Sequence, residues 1–193
     1  DIASRYKITL EELDLFVLEL DNLCCTIDDF VTVKELQQMG YEFVKTVKRL
    51  LNQETIKAND PKELQKVIQD GSTLCIELPQ LDHLKARLEQ VTWHRMIRSY
   101  REKTEKHQLH VLKKHLVEGM KVPPHYIIER ELSEMKDMII EMEVWEERAQ
   151  KVFESKLPVK LREIQDLIRL GHQVKGFLPS FSILKDSADR ARE

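Results

Sequence analysis

One phrase occurs twice in this chain, at a spacing of one hundred residues. Residues 71–85 read GSTLCIELPQLDHLK, and residues 171–185 read GHQVKGFLPSFSILK. Gly, Leu-Pro and Leu-Lys stand at the same positions in both copies, and each copy follows a short amphipathic segment. Self-similarity at a fixed spacing is typical of proteins in which one supersecondary unit packs on another like it. The sequence therefore predicts a repeated unit.

The repeated unit is predicted to be a short helix, a glycine, an apolar connector and a longer helix. Apolar residues recur at steps of three and four through most of the chain, which is the helical period. Asp60 and Pro61 are suited to the N-cap and the first helical position. Gly71, Gly119 and Gly171 are expected to end their helices in the left-handed conformation.

Two other helix starts are predicted from capping boxes, one formed by Thr9 with Glu12 and one by Thr32 with Glu35. The apolar stripes that follow them predict two buried helix faces. The first stripe contains Leu10, Leu13, Phe16, Val17 and Leu20, and the second contains Leu36, Met39, Phe43, Val47 and Leu50. Further along the chain, Trp93 and Trp145 are also expected to pack inward.

The fold class predicted from these patterns is all-α, with elongated antiparallel helical hairpins that pack like a bundle or coiled coil. Five glycines and six prolines in 193 residues leave few turns for a many-stranded sheet. About four hairpin units are expected, at residues 9–51, 60–100, 107–153 and 159–193. The chain begins at Asp1 without a methionine, and we expect one helical segment of a longer protein.

Composition excludes several classes of protein. The longest apolar runs are too short to cross a membrane. The three cysteines, Cys24, Cys25 and Cys75, are an odd number with an adjacent pair, which predicts a reducing compartment. The formal net charge of −3 gives no global argument for binding nucleic acid.

Catalytic and metal-binding motifs are not found in the sequence. It contains no nucleophile elbow, phosphate-binding loop or zinc-finger spacing. His107 and His110 share a helical face, but His115 turns away from it. Paired carboxylates such as Glu146 and Glu147 are expected on any solvated helix face. We therefore predict no catalytic residue, cofactor, metal ligand or small-molecule substrate for this segment.

A basic stretch between residues 95 and 114 is the candidate functional site. Its cations are Arg95, Arg98, Arg101, Lys103, Lys106, Lys113 and Lys114. One interpretation is a contact with DNA phosphates. The other is a solvated face that pairs with the acidic stretch at residues 129–147, and the negative net charge favours it.

A resemblance to a known family extends along most of the chain. The segments ELQKVIQDGSTLCIELPQLDHLKARLEQVTW, HLVEGMKVPPHYIIERELSEMKDMI and FLPSFSILKDSADRARE resemble the PLU-type helical region of the Jumonji/ARID histone demethylases, the lysine-specific demethylase 5 family. The order of the segments is also that of the family, from KITLEELDLFVLELDNL onward.

The resemblance implies a setting in the nucleus. Enzymes of this family demethylate lysine 4 of histone H3 with iron and 2-oxoglutarate in a Jumonji domain, and they also contain zinc fingers. Their PLU-type region lies downstream of these domains. The iron site needs His-x-Asp/Glu, and no histidine here has an acidic residue two positions later. No functional residue of the family is therefore carried over to this chain.

The expected function is that of a non-catalytic spacer and docking region of a nuclear histone H3 lysine-4 demethylase, a chromatin and transcription regulator. Its expected partners are other domains of the same protein and chromatin-associated proteins, without a membrane. The alternative is an arm that contacts nucleosomal DNA through the basic stretch at residues 95–114.

Overall fold

A computed structural model describes residues 7–23, 29–52, 56–103, 106–155 and 159–190. These residues form eight α-helices: α1 (Leu10–Asp21), α2 (Phe30–Leu51), α3 (Pro61–Thr73), α4 (Gln80–Arg101), α5 (Leu109–Gly119), α6 (Tyr126–Glu154), α7 (Leu161–Gln173) and α8 (Phe181–Arg190). A single 3-10 turn (Ile56–Ala58) and two strands of two residues each, β1 (Ile8–Thr9) and β2 (Ile76–Glu77), complete the described elements. The predicted all-α class is confirmed.

The helices form two compact units. The first unit is Asp1–Arg95 and the second is Met96–Glu193, so the division falls within α4. The first unit contains α1, α2, α3 and most of α4, and the second contains α5, α6, α7 and α8. The four hairpin units and the elongated arrangement stay predictions.

Each unit has its own apolar core. Fully buried side chains of the first unit include Val47, Leu50, Ile56, Leu64, Ile76, Leu84 and Val91, and those of the second include Ile97, Leu112, Ile128, Met135, Met142 and Leu184. The predicted inward positions of Trp93 and Trp145 are confirmed, since these side chains are 5% and 3% exposed. Each unit therefore contains one buried tryptophan.

Both units contain the same parallel backbone pairing. In the first unit β1 pairs with β2, with Ile8 opposite Ile76. In the second unit His107 pairs in parallel with Gly176, and the Phe177 N–H donates to the His107 carbonyl oxygen at 2.8 Å. In the first unit the pairing joins the residues before α1 to the connector between α3 and α4. In the second unit it joins the residues before α5 to the connector between α7 and α8.

The two copies of the repeated phrase occupy the same place in their units. Helices α3 and α7, which precede the connectors, are both 13 residues long. Residues 71–80 and 171–180 have the same degree of burial at every position. Leu78 and Leu178 are buried in the connectors, and Leu84 and Leu184 are buried in the helices that follow. The sequence repeat is thus a repeat of tertiary position.

The predicted left-handed glycine stops are wrong. No described residue, glycine or other, has a positive φ. Helix α3 continues past Gly71 to Thr73, and α7 continues past Gly171 to Gln173, while Gly119 is the last residue of α5.

Close packing explains the glycines of α3 and α7. A Cβ atom on Gly171 would lie 2.8 Å from the Phe181 ring and 2.8 Å from Nε1 of Trp145. A Cβ atom on Gly71 would overlap the ring of Phe43. These glycines are therefore required because large side chains approach the helix backbone, which only a residue without a Cβ permits.

The predicted caps have different outcomes. The box of Thr9 with Glu12 is confirmed, with a Glu12 N–H to Thr9 Oγ1 distance of 3.2 Å. Asp60 is confirmed as the N-cap of α3, with Pro61 in its first turn. The box at Thr32 is wrong, because α2 already begins at Phe30.

The two predicted stripes are correct in part. Leu13, Val17, Phe43, Val47 and Leu50 are buried, whereas Phe16 and Met39 are 46% and 51% exposed. Gly40, one residue after Met39, takes the inward position on α2. Of the three cysteines, Cys75 is exposed and free, and Cys24 and Cys25 lie outside the described residues.

Candidate functional site

The basic stretch is divided between the two units. Arg95 belongs to the first unit, where its Nη1 lies 3.6 Å from Asp60 Oδ1. Its Nη2 also donates to the backbone carbonyl oxygen of Asn59 at 3.0 Å. Arg95 thus binds the N-terminal end of α3. The other six cations of the stretch belong to the second unit.

Arg101 is the most deeply placed cation of the stretch. Its Nη1 lies 2.7 Å from Oε2 of Glu131 and 2.7 Å from Oε2 of Glu134. The side chains of Arg101 and Glu131 are only 26% and 12% exposed. Hydrogen bonds between such charged groups are about twice as strong as neutral ones, and removing one partner leaves a poorly solvated charge behind. Arg101 is therefore a structural link between the end of α4 and α6.

The remaining cations lie at the surface of the second unit. Arg98 pairs with Glu102 at 2.9 Å, Lys113 with Glu143 at 2.5 Å, and Lys114 with Glu118 at 3.9 Å. Lys106 Nζ lies 5.5 Å from the centre of the Phe181 ring. Lys103 is exposed, and no ion pair between it and another described residue is found. Exposed pairs of this kind contribute about 0–1 kcal/mol each.

Five of the seven cations therefore have an acidic partner among the described residues. Three of those partners, Glu131, Glu134 and Glu143, come from the acidic stretch at residues 129–147. The structure thus brings the two charged stretches together within the second unit.

A polar cleft adjoins Arg101. It encloses about 500 Å³ and is lined by Arg101, His107, Glu134, Asp137, Met138, Glu141, Gln173 and Lys175. The pKa of His107 is lowered from its ordinary value, first by burial and then by the charges of Arg101 and Lys175. The Tyr100 ring centre lies 4.8 Å from that of His107, and burial raises the pKa of Tyr100. Burial and the two neighbouring cations therefore disfavour protonation of the His107 ring.

The part of the chain that the structure describes has neither a metal-binding cluster nor a membrane-spanning helix. There, no group of three or more His, Cys, Asp or Glu side chains is arranged to hold a metal ion. Within the same residues, no helix has the length and apolarity needed to span a bilayer.

Each unit also contains a surface groove at an equivalent place. The first groove is formed on α2 and α3 by Met39, Glu42, Phe43, Thr46, Asp70, Thr73 and the following Leu74. The second groove is formed on α6 and α7 by Glu141, Val144, Trp145, Arg148, Leu170, Gln173 and the following Val174. The spacing of the lining residues along both helices is identical, so the grooves are the same feature of the repeated fold.

The two grooves differ in chemistry. Where the first groove has the exposed carboxylates of Glu42 and Asp70, the second has Val144 and Leu170. These two apolar side chains are 40% and 41% exposed. Ile140, one helical turn before Val144, is 55% exposed and extends the apolar strip.

These grooves were not predicted from the sequence, although α6 carries a signal for the second. The buried stripe of α6 contains Met135, Ile139 and Met142. Ile140 and Val144 lie outside that stripe and are separated by four residues. A second apolar stripe on one helix is more than a single core-facing side requires, and it indicates a second contact surface.

Comparison with known proteins finds one matching family model and similarity to segments of longer proteins. Residues 1–193 match the family model described as PLU-1-like protein. The chain is 24% identical over 187 residues to lysine-specific demethylase 5B of Gallus gallus, which covers 97% of this chain and 12% of that protein. It is 20% identical over 187 residues to lysine-specific demethylase 5D of Pan troglodytes, with 96% and 12% covered. No solved structure matches the chain.

Proposed function

Because the chain belongs to the PLU-1-like protein family, we propose that it is a non-catalytic helical docking and spacing region of a nuclear histone H3 lysine-4 demethylase. The chain spans 12% of the length of the lysine-specific demethylases that it matches. In this proposal, demethylation with iron and 2-oxoglutarate takes place elsewhere in the longer protein. The segment provides helical surfaces for its other domains and for chromatin-associated proteins.

The position of Arg101 supports this proposal over a DNA-contacting arm. The guanidinium group binds Glu131 and Glu134 in a largely buried site. A side chain that holds two helices together in this way is not available to neutralise a phosphate without breaking those bonds. The surrounding carboxylates also repel DNA, because they carry the same charge as its backbone.

The DNA alternative rests on the exposed cations of the second unit. A mononucleosome mobility shift at about 0.15 M salt tests it. The test variant reverses Arg98, Lys103 and Lys106 to Glu and keeps Arg101, so that the fold is retained. A matched control reverses three exposed lysines of the first unit, Lys45, Lys48 and Lys66. We expect no shift with the natural chain, whereas micromolar binding that only the test variant loses would contradict the proposal.

The non-catalytic role has a separate test. The purified chain is incubated with an H3 peptide trimethylated at lysine 4, together with iron(II) and 2-oxoglutarate. We expect no demethylated peptide in the mass spectrum. Product that increases with time and with the amount of chain would show that the segment is itself catalytic.

A further inference from the structure

We propose that the second groove, together with Ile140, is a docking site for one amphipathic helix of a partner protein. This inference rests on the proposed docking function, and it specifies the surface and the kind of partner. The contact residues that matter most are Ile140, Val144 and Leu170, which are large, apolar and at least 40% exposed.

The shape of the surface suits a helix. Ile140 and Val144 are one turn apart on α6, and Leu170 of α7 lines the groove beside Val144. Such a strip matches the apolar face of a helix with anchors at i, i+3 or i+4, and i+7. The groove encloses about 240 Å³. Sites for small ligands usually enclose about 300–1,000 Å³, so the groove fits one or two partner side chains better.

The first unit shows that the fold itself does not require these apolar residues. At the positions equivalent to Ile140, Val144 and Leu170, the first unit has Gln38, Glu42 and Asp70. Equivalent helices pack around the equivalent groove in both units, and these three positions are polar in the first unit and apolar in the second. The apolar strip of the second unit is therefore additional to the core.

Charges at the two ends of the strip specify the partner. Asp137 and Glu141 lie at one end, and Arg148 lies at the other end, eleven residues along α6 from Asp137. That separation is about 16 Å at the helical rise per residue. No ion pair joins any of these three side chains to another described residue. The complementary helix has basic side chains at one end and acidic side chains at the other.

The partner's direction follows from the helix dipole. Acidic residues stabilise the N-terminal turn of a helix, and basic residues stabilise the C-terminal turn. A partner helix with this distribution places its acidic N-terminus over Arg148 and its basic C-terminus over Asp137 and Glu141. It therefore lies antiparallel to α6.

Two fluorescein-labelled synthetic peptides test the proposal. Both have the same helical stripe of leucines; one has Glu at its N-terminal end and Lys at its C-terminal end, and the other has these ends exchanged. Fluorescence anisotropy with the full chain measures binding. We expect the first peptide to bind at least about tenfold more tightly than the second. Absence of binding, or equal binding of both peptides, would overturn the proposal.

Variants of the chain locate the site. Val144→Glu with Leu170→Asp introduces the residues of the first groove, and we expect at least about tenfold weaker binding. Val117→Glu with Ile183→Asp is the control, because both are 54% exposed apolar residues outside the groove. Circular dichroism checks that both variants fold. Arg148→Glu is expected to reduce the preference between the two peptides, because both ends of the strip are then acidic.

The remaining outcomes are distinguishable from a failure of the proposed function. Binding that only the control variant loses would overturn this site and leave a docking role elsewhere. Sedimentation velocity of the free chain tests whether a second copy occupies the groove. Self-association that Val144→Glu with Leu170→Asp abolishes would identify a second copy as the occupant and overturn the proposal of a different partner protein. The nucleosome and demethylation assays test the proposed function independently.

Discussion

In the first unit, Gly40 of α2 faces Ile76 of the connector, whereas in the second unit Met142 of α6 faces Gly176 of the connector. A Cβ atom on Gly40 would lie 2.8 Å from Cδ1 of Ile76, and a Cβ atom on Gly176 would overlap the side chain of Met142. The positions are equivalent, because Gly40 lies three residues before Phe43 and Met142 lies three residues before Trp145. The small and large residues have exchanged places.

This exchange shows what the repeated fold requires at the contact between the long helix and the connector. Interiors are packed to nearly crystalline density, so the total volume at a contact is constrained more strongly than the identity of either residue. Ile76 together with Leu10 fills the space beside Gly40, and Met142 fills the space beside Gly176. The repeat is therefore preserved as packing even where the two sequences differ most.

The glycine of the third helix is the strongest common feature of the two units, and its substitution should have the largest effect. Gly171→Ala is expected to destabilise the second unit by about 3 kcal/mol, because the new methyl group collides with Phe181 and Trp145. Urea unfolding in a Trp93→Phe background measures this, since Trp145 then reports on the second unit alone.

A second substitution separates packing from backbone strain. Phe181→Ala removes one of the two rings that approach Gly171, whereas leucine would not relieve the contact, since Leu81 lies 2.9 Å from the Cβ position of Gly71. In that background, the cost of Gly171→Ala should fall by about 1 kcal/mol, because one of the two colliding rings is gone. An unchanged cost would indicate that Phe181 does not set the requirement for glycine.

The fold class and several helix starts were predictable because their signals are local. Helical period and caps such as Thr9 and Asp60 depend on residues within one or two turns. The role of Gly171 was not predictable from the sequence. A glycine near a helix end has the same local sequence whether it ends the helix or makes room for an aromatic ring against the helix backbone. The exposure of Met39 and the burial of Gly40 likewise depend on contacts with α1 and the connector, distant in sequence.

The candidate site was predictable only as a set of charges. The sequence identified the basic and acidic stretches, but nothing local distinguishes Arg101 from Arg98. Their difference arises from α6, which places Glu131 and Glu134 beside Arg101. The grooves require knowledge of which helices are neighbours, and only the second stripe of α6 indicated one of them.

The arginines of the two units provide the next comparison. Arg101→Gln is expected to cost about 2 kcal/mol, because it leaves the largely buried Glu131 without its cation. Arg95→Gln is expected to cost less than about 1 kcal/mol, since Arg95 and Asp60 are both 54% exposed at their side chains. Urea unfolding of both variants checks the order, and equal costs would contradict the structural role of Arg101.

The smallest expected effect is the loss of stability on acidification that His107 causes. His107 belongs to the parallel pairing of the second unit, where the first unit has Ile8. The pKa of His107 is lowered by burial and by Arg101 and Lys175. Unfolding therefore takes up protons as pH falls below about 6.5, the ordinary pKa of histidine. The stability of the second unit should be complete above that pH and decline by a few tenths of a kcal/mol below it.

His107→Ile tests this decline because it introduces the residue of the first unit. Urea midpoints at about pH 7.5 and 5.5 are compared for the natural chain and the variant. The variant should lose less stability on acidification. The carboxylates of Glu134, Asp137 and Glu141 line the same cleft, and a larger loss in the variant would show that they dominate over Arg101 and Lys175.

The most direct test of the repeated packing is a double-mutant cycle at the exchanged contact. Met142→Gly and Gly176→Ile introduce the residues of the first unit, singly and together, in the Trp93→Phe background. Each single change should destabilise the second unit, by a cavity or by a collision. The double variant should lose at least about 2 kcal/mol less unfolding free energy than the summed losses of the two single variants, because Ile fills the volume that Met leaves. Additivity within about 0.5 kcal/mol would contradict the account.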